Sequence, residues 1–271
     1  MHDTSVSPET LWNEFAHEHA TIDVLAVRHN LCEKTIRTRL DAYVLPEIAP
    51  TPRTMVAVMD ATRVGSVWVL AIRDPKKQET VYAHETSIES TSSYQMAYAE
   101  LTERGFVFSA IVSDGRFVAV DWLFPSVPIQ MCHFHQLQIA IRYLTLNPKL
   151  EAGIELLDLV RTLPRTDEAS FTGAFKLWLR TWHDFLQEKT IDPETGSWHW
   201  THKRLRQARD SIARHLDILF TFQRFSELDI PNTTNSLDGK FKKGKTAIGV
   251  HAGLTEARQV KLFLSILFSR G

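Results

Sequence analysis

Two aspartates each end an apolar segment of the chain. Asp60 ends MVAVMD, and Asp114 ends SAIVSD. A carboxylate after such a run is costly unless it is exposed at a sheet edge or binds something. Ligands gather at strand ends in open α/β sheets, so the two side chains would meet if their strands are neighbours. The alternative is that each aspartate only forms a cap or a turn.

Carboxylates at this spacing suit metal-assisted phosphoryl transfer. Mg²⁺ prefers oxygen ligands and keeps several waters, so one or two carboxylates per ion suffice. Two ions activate the attacking oxygen and stabilise the leaving oxygen, which calls for a third carboxylate. The candidate is Asp238 in PNTTNSLDG, at the predicted entrance to a short helix or turn. Taken alone, Asp238 is more typical of a helix cap or a turn than of a metal ligand.

The elements that would position these aspartates follow from hydrophobic periodicity. Strands are predicted over 54–64, 66–74, 79–86, 107–115 and 127–132, and helices over 93–105, 117–124 and 133–144, with a mainly helical stretch after them. Three antiparallel strands, a helix, a strand, a short helix, a strand and then many helices is the order of a ribonuclease H-like α/β core. The fold class predicted is therefore α/β.

A proline-containing linker over 46–53 separates a small unit, 1–45, from the predicted catalytic domain, 54–271. The segment 21–43 has the spacing of a helix-turn-helix motif, with Asn30 at the turn and a weak cap at Cys32. Its second helix would present Lys34, Arg37 and Arg39 to DNA. An ordinary two-helix hairpin is the alternative.

Composition limits the class of protein. The chain has 271 residues, 44% of them hydrophobic, and a net charge of −1. No apolar run reaches the roughly 18 residues of a membrane span, and the N-terminus is not a secretory signal. Two distant cysteines, Cys32 and Cys132, favour a reducing cytoplasm over a disulfide framework. With this charge, a nucleic-acid surface must come from local clusters.

The chain resembles the Mutator-type DDE transposases, which include many bacterial insertion-sequence transposases. The resemblance covers about 54–268 and rests on four segments in order: MDATRV, IVSDG, QMCHFHQLQ, and IPNTTNSLDG leading to GLTEARQVKLFLSILF. IPNTTNSL followed by an acidic residue and Gly is the most specific string. The C-x-x-H element, Cys132 to His135, is characteristic of the superfamily.

The resemblance implies that Asp60, Asp114 and Asp238 are catalytic and bind two Mg²⁺ or Mn²⁺ ions. The family usually has Glu where this chain has Asp238, so either the site works with altered geometry or the copy has decayed. Cys132, His135 and Asn235 would support the site; a Cys and one or two His are too few for structural zinc. An all-helical insertion, about 145–225, would fill the interval before Asp238.

Two basic clusters are expected to contact the DNA backbone, with solvated surface charge as the alternative. The first includes Arg204 and Arg206. The second, KFKKGK, follows Asp238 directly and contains Lys240, Lys242, Lys243 and Lys245.

The sequence thus predicts a transposase that cleaves element ends and joins them to target DNA. Its partners would be the element's terminal repeats and target DNA, bound by a homodimer, without a membrane, in the bacterial cytoplasm at the nucleoid. Two alternatives remain: a catalytically inactive or domesticated helix-turn-helix DNA-binding protein, and another ribonuclease H-like nuclease. The stretch with Trp178, Trp182, Trp198 and Trp200 is expected to form core more than to stack DNA bases.

Overall fold

A computed structural model of the chain describes residues 6–115, 124–251 and 253–269. The helix predicted over 117–124 lies outside the described residues, apart from Phe124. In these ranges the chain forms N-terminal helices, a five-stranded mixed sheet and then many helices, as the α/β prediction requires.

Three helices open the chain: α1 (Pro8–Ala16), α2 (Ile22–His29) and α3 (Glu33–Ala42). Ser7 and Thr21 cap the first two by accepting hydrogen bonds from backbone N–H groups. Asn30 turns the chain from α2 to α3 in the left-handed conformation, with φ of 52°. Cys32 at the start of α3 makes no side-chain cap. The predicted helix pair, its turn residue and its weak cap are confirmed; residues 46–53 then contain neither helix nor strand.

The sheet is formed by five strands, with α4 (Thr91–Glu103) between the third and the fourth. The strands are β1 (Thr54–Val64), β2 (Val67–Asp74), β3 (Glu79–Thr86), β4 (Val107–Ser113) and β5 (Ile129–Met131). Their order in the sheet is β3-β2-β1-β4-β5. β1, β2 and β3 are successive antiparallel hairpin strands, whereas β1, β4 and β5 are parallel. The predicted strands are confirmed to within a few residues at their ends.

The remaining helices and short strands follow β5. They are α5 (His133–Leu144), α6 (Glu151–Arg161), α7 (Glu168–Thr181), α8 (His183–Leu186), β6 (Lys189–Ile191), β7 (Trp198–Trp200), α9 (Lys203–His215), α10 (Thr221–Arg224), α11 (Asn235–Val250) and α12 (Glu256–Phe268). The prediction of an all-helical segment over 145–225 is wrong in one respect. β6 and β7 pair as an antiparallel hairpin inside it, because Thr190, Ile191, Trp198 and Trp200 favour strands.

The chain divides into two compact units. The first is Met1–Val107 with Asn235–Gly271, and the second is Phe108–Thr234. In the first unit, the N-terminal helices share an apolar core with α12, in which Leu25, Ile36 and Leu262 are fully buried. Trp12 fixes this packing by donating a hydrogen bond from Nε1 to Ser265 Oγ at 3.0 Å. In this unit α11 packs against β1, β2 and α12.

The core of the second unit is helical. Leu156, Phe171, Phe175 and Trp178 are among its buried members. The indole of Trp178 donates to Ala152 O at 3.0 Å, so this tryptophan belongs to the core as predicted. Trp198 is 53% exposed, so for this tryptophan the prediction of a core position is wrong. Within the described ranges, no helix combines the length and apolar character needed to cross a bilayer.

Candidate active site

Asp60 lies inside β1 and is only 6% exposed. The bounds predicted for this strand, 54–64, are confirmed. The expectation that Asp60 lies at a strand end is wrong, because β1 remains paired with β2 from Asp60↔Ala71 to Val64↔Val67. The carboxylate Oδ1 accepts a hydrogen bond from the Ala61 N–H at 2.8 Å. The sheet thus holds a carboxylate at a buried position, where a charge needs polar partners.

Asp238 lies in the first turn of α11 and is partly exposed. The expected short helix or turn is instead a helix of 16 residues, Asn235–Val250. A carboxylate in the first turn interacts favourably with the helix dipole, which gives Asp238 a structural role as well. α11 packs against β1, so within the first unit the helix that carries Asp238 lies on the strand that carries Asp60. Asn235 is the exposed first residue of that helix.

Asp114 belongs to the second unit. It follows β4 directly, as predicted, and is partly exposed. Gly115 turns the chain after it with φ of 74°, a conformation that side chains other than glycine rarely adopt. A Cβ there would lie 2.2 Å from Met131 Sδ, so the side chain of Met131 would have to shift to admit it.

Cys132 and His135 converge on a residue that the sequence did not single out, Thr234. Cys132 Sγ lies 3.4 Å from both the Thr234 N–H and its hydroxyl, and His135 Nδ1 lies 3.5 Å from that hydroxyl. His133 N–H donates to Asn232 O at 2.9 Å. These contacts tie the start of α5 to the segment before α11. In the sequence, the string PNTTNS indicated that this segment is functional, but it did not indicate that Thr234 contacts Cys132 and His135.

Burial acts to raise the pKa of the Cys132 thiol, but hydrogen bonds with His135 and Thr234 outweigh it, and the net shift is downward. In the structure, the two residues of the C-x-x-H element therefore belong to a buried polar cluster around Thr234. A buried thiol with such partners orients its neighbours and is shielded from reagents.

The three proposed ligands are all aspartates, and carboxylate oxygens suit Mg²⁺ or Mn²⁺. The donor chemistry therefore fits the expected ions. Over the described ranges, no three His, Cys, Asp or Glu side chains are grouped so that they could hold a metal ion. A site formed by all three aspartates is accordingly part of the functional proposal.

The three α3 cations predicted to bind DNA differ in the contacts that they make within the protein. Arg37 forms an ion pair with Glu33 one turn earlier at 3.1 Å, and Arg39 donates to Val6 O at 3.1 Å. Lys34 is exposed. Lys34 therefore presents its charge to solvent, whereas the two arginines also form contacts that stabilise the fold around them.

In the segment that follows Asp238, Lys240 differs from the other predicted DNA contacts. Lys242, Lys243 and Lys245 are exposed. Lys240 is 5% exposed, and its Nζ donates to Ser269 O at 2.5 Å, beyond the end of α12. We therefore assign Lys240 to the stability of the fold and correct its assignment to the DNA surface.

Arg204 and Arg206 are both engaged within the second unit. Arg204 donates to Arg142 O at 2.7 Å and Arg206 to Leu186 O at 2.6 Å. The guanidinium of Arg206 also lies over the ring of Trp200, 3.8 Å from its centroid.

No protein-family model matches this chain, and no curated protein matches it either.

Proposed function

We propose that this chain is a DNA transposase with a ribonuclease H-like catalytic core. The observation that carries the proposal is the buried carboxylate of Asp60 in β1, together with the packing of α11, the helix of Asp238, against that strand. The strand order β3-β2-β1-β4-β5, with three hairpin strands first, supports the fold assignment. The family strings of the sequence support the activity.

In the proposed site Asp60, Asp114 and Asp238 would hold two divalent ions. Bound Mg²⁺ or Mn²⁺ ions would activate the attacking oxygen and stabilise the leaving oxygen of an in-line displacement. The chain's own contribution is positioning. The Ala61 N–H holds one oxygen of Asp60, and the turn at Gly115 presents Asp114 at the end of β4.

The cluster of Cys132, His135 and Thr234 fixes the chain immediately before Asn235, where α11 and its carboxylate begin. This support matters because Asp238 is one methylene shorter than the Glu usual in the family. An error of about 1 Å in a reacting geometry can cost a hundredfold in rate. Exposed Lys242, Lys243 and Lys245 would contact phosphates without reading sequence.

The test is a cleavage and joining assay with duplexes that carry the DNA flanking the coding sequence, in Mg²⁺ or Mn²⁺. Asp60→Asn should abolish nicking and joining while DNA binding is kept, because the amide has the same shape without the charge. Asp184→Asn, on exposed α8, is the matched control and should remain active. Cleavage by purified Asp60→Asn protein would contradict the proposal.

A second candidate is a DNA-binding protein without catalytic activity, favoured by the α2–α3 helix pair with its left-handed Asn30 turn. It predicts metal-independent binding to the same duplexes and no nicking by the unaltered protein. Joined products would distinguish the transposase from a nuclease of the same fold. The proposed setting is the bacterial cytoplasm, with a homodimer on paired element ends.

A further inference from the structure

A cleft of about 690 Å³ lies wholly within the second unit, between α5 and α9. Its lining from α5 includes Gln138, Arg142 and Tyr143, and its lining from α9 includes Gln207 and Arg214. With His135 and Ile139 included, the α5 positions recur three and four residues apart. The α9 positions do the same once Asp210, Ser211 and His215 are included. Each helix therefore turns one face to the cleft.

The cleft is cationic at its mouth. Arg142 and Arg214 are exposed, one on each helix, and neither has an ion pair among the described residues. Asp210 also lines the cleft, but its carboxylate binds Arg209 at 2.5 Å. Two guanidinium groups that face one space are suited to phosphate oxygens, although the carboxylate of Asp114 lines the same cleft.

The floor of the cleft is polar and firmly held. His215 is 5% exposed, and its Nδ1 lies 2.7 Å from Gln136 Oε1. Gln136 in turn donates from Nε2 to Ser211 Oγ at 3.3 Å. Because an amide oxygen only accepts, Nδ1 donates in this contact, and Nε2 lies on the side of Gly115.

The surroundings of His215 lower the pKa of its imidazole. Burial lowers its pKa, the charge of Arg214 lowers it further, and the charge of Asp114 acts in the opposite direction. The cleft therefore offers two cations at its mouth, the partly buried ring of Tyr143 on one wall, and the imidazole of His215 at its floor. A nucleotide has a matching group for each: its phosphate for the two arginines, the face of its base for the Tyr143 ring, and the edge of its base for His215.

We infer that this cleft binds an unpaired nucleotide of a DNA strand, with its phosphate between Arg142 and Arg214 and its base toward His215. The cleft volume is within the range of roughly 300–1,000 Å³ that suits a small ligand, which admits one or two nucleotides and excludes a duplex. Asp114 also lines the cleft. The inference rests on the proposed function, because a strand bound in the cleft would lie beside Asp114, one of the proposed metal ligands.

The binding test uses a fluorescein-labelled oligothymidine in EDTA, so that metal-dependent cleavage plays no part. Arg142→Ala/Arg214→Ala should weaken binding at least about tenfold. The slope of log affinity against log salt concentration should fall by about 1.4, since each lost contact to a single strand contributes about 0.7.

The matched control is Arg165→Ala/Arg180→Ala, which removes two exposed arginines of the same unit that do not line the cleft. It should change affinity less than about twofold, as expected of surface substitutions. Equal losses in the two double variants would overturn the inference, and so would failure of the unaltered protein to bind the strand.

Crosslinking locates the strand independently of affinity. An oligonucleotide with one 5-iododeoxyuridine should crosslink to peptides from 135–143 or 207–215, and crosslinks confined to other peptides would overturn the inference. Free thymidine monophosphate is the competitor. It should displace the strand only weakly, and equal affinity would make the cleft a free-nucleotide site instead.

These outcomes separate the inference from the proposed function. If the protein never nicks DNA but the cleft variants lose strand binding, the transposase proposal fails and the cleft assignment stands. If the protein nicks and joins DNA while Arg142→Ala/Arg214→Ala behaves like its control, the transposase proposal stands and the cleft assignment fails.

Discussion

The two basic segments of the chain, α9 and the first half of α11, look alike as sequence and differ as structure. In α9, Arg204 and Arg206 donate to backbone carbonyls, and Arg209 binds its neighbour Asp210. In α11, three of four lysines are exposed and one is buried. A run of cations can therefore contain some side chains that stabilise the fold and others that are exposed to a partner. The position of each residue on the helix determines which role it has.

The largest expected effect comes from the exposed face of α11. Lys242→Ala/Lys243→Ala/Lys245→Ala should weaken duplex binding on the order of a hundredfold, since three phosphate contacts of about 1 kcal/mol each are lost. The salt slope should fall by about 2.7, from about 0.9 per contact. Affinity titrations at several salt concentrations measure both quantities.

A triple variant of equal charge change is the control: Lys77→Ala/Lys149→Ala/Lys176→Ala removes exposed lysines that lie outside α11. It should bind duplex nearly as well as the unaltered protein. If both triple variants lose the same affinity, α11 contributes only net charge, and the difference between the two segments has no functional meaning.

The buried face of α11 should respond through stability. A Cβ on Gly244 would lie 2.5 Å and 2.7 Å from two ring carbons of fully buried Phe263. Gly244→Ala should therefore lower the free energy of unfolding by about 1–3 kcal/mol, the usual cost of overpacking. Urea denaturation measures this loss.

Gly239 is the matched position on the same helix, because a Cβ there meets nothing within 4 Å. Gly239→Ala should raise the free energy of unfolding by about 0.5–1 kcal/mol through helix propensity. If the two alanine variants were equally stable, the close packing of α11 on α12 at Gly244 would be incorrect.

For α9 we expect an effect on stability larger than the effect on DNA. Arg206→Ala loses the bond to Leu186 O and the contact with Trp200, so the free energy of unfolding should fall by about 1–2 kcal/mol. Arg206→Lys keeps the charge and serves as the control. A fall in duplex affinity as large as that of the lysine triple variant, with unchanged stability, would make Arg206 a DNA contact after all.

Local pattern was enough to predict the sheet strands and α5, because Gly65, Pro75 and Gly105 interrupt runs of clear periodicity. It was not enough for the three-residue strands β6 and β7, which are too short to show an alternation of buried and exposed residues. Asp114 was predicted at its strand end because Gly115 follows it. Asp60 was expected at a strand end because the apolar run stops there, although the strand itself continues through Thr62 and Arg63 to Val64.

Long-range packing explains the rest. Thr234 contacts Cys132 across 102 positions of the chain, and no local signal marks such a pair. The burial of Lys240 likewise depends on the end of α12, 29 positions away. Its neighbours in KFKKGK have the same residue type and the same local context, so only the packed structure distinguishes them.

The smallest effect expected is a pH dependence that comes from Lys240 itself. Burial, followed by the positive charges of Arg73 and Lys243, lowers its pKa from 10.5 to about 8. Between these values the unfolded chain binds the proton and the folded protein does not, so stability rises with pH across this window. Below about pH 8 both states are protonated, and the folded state bears the full cost of the buried charge.

Lys240→Met keeps the length of the side chain and removes the titration, so the other ionisable groups cancel in the comparison. The free energy of unfolding of the unaltered protein should increase relative to that of Lys240→Met by on the order of 1 kcal/mol from neutral pH to pH 10. Lys243→Met, on the exposed face, should show no such trend. A constant difference for Lys240→Met would mean that its ammonium is solvated, and α11 would then present four equivalent lysines, as the sequence first indicated.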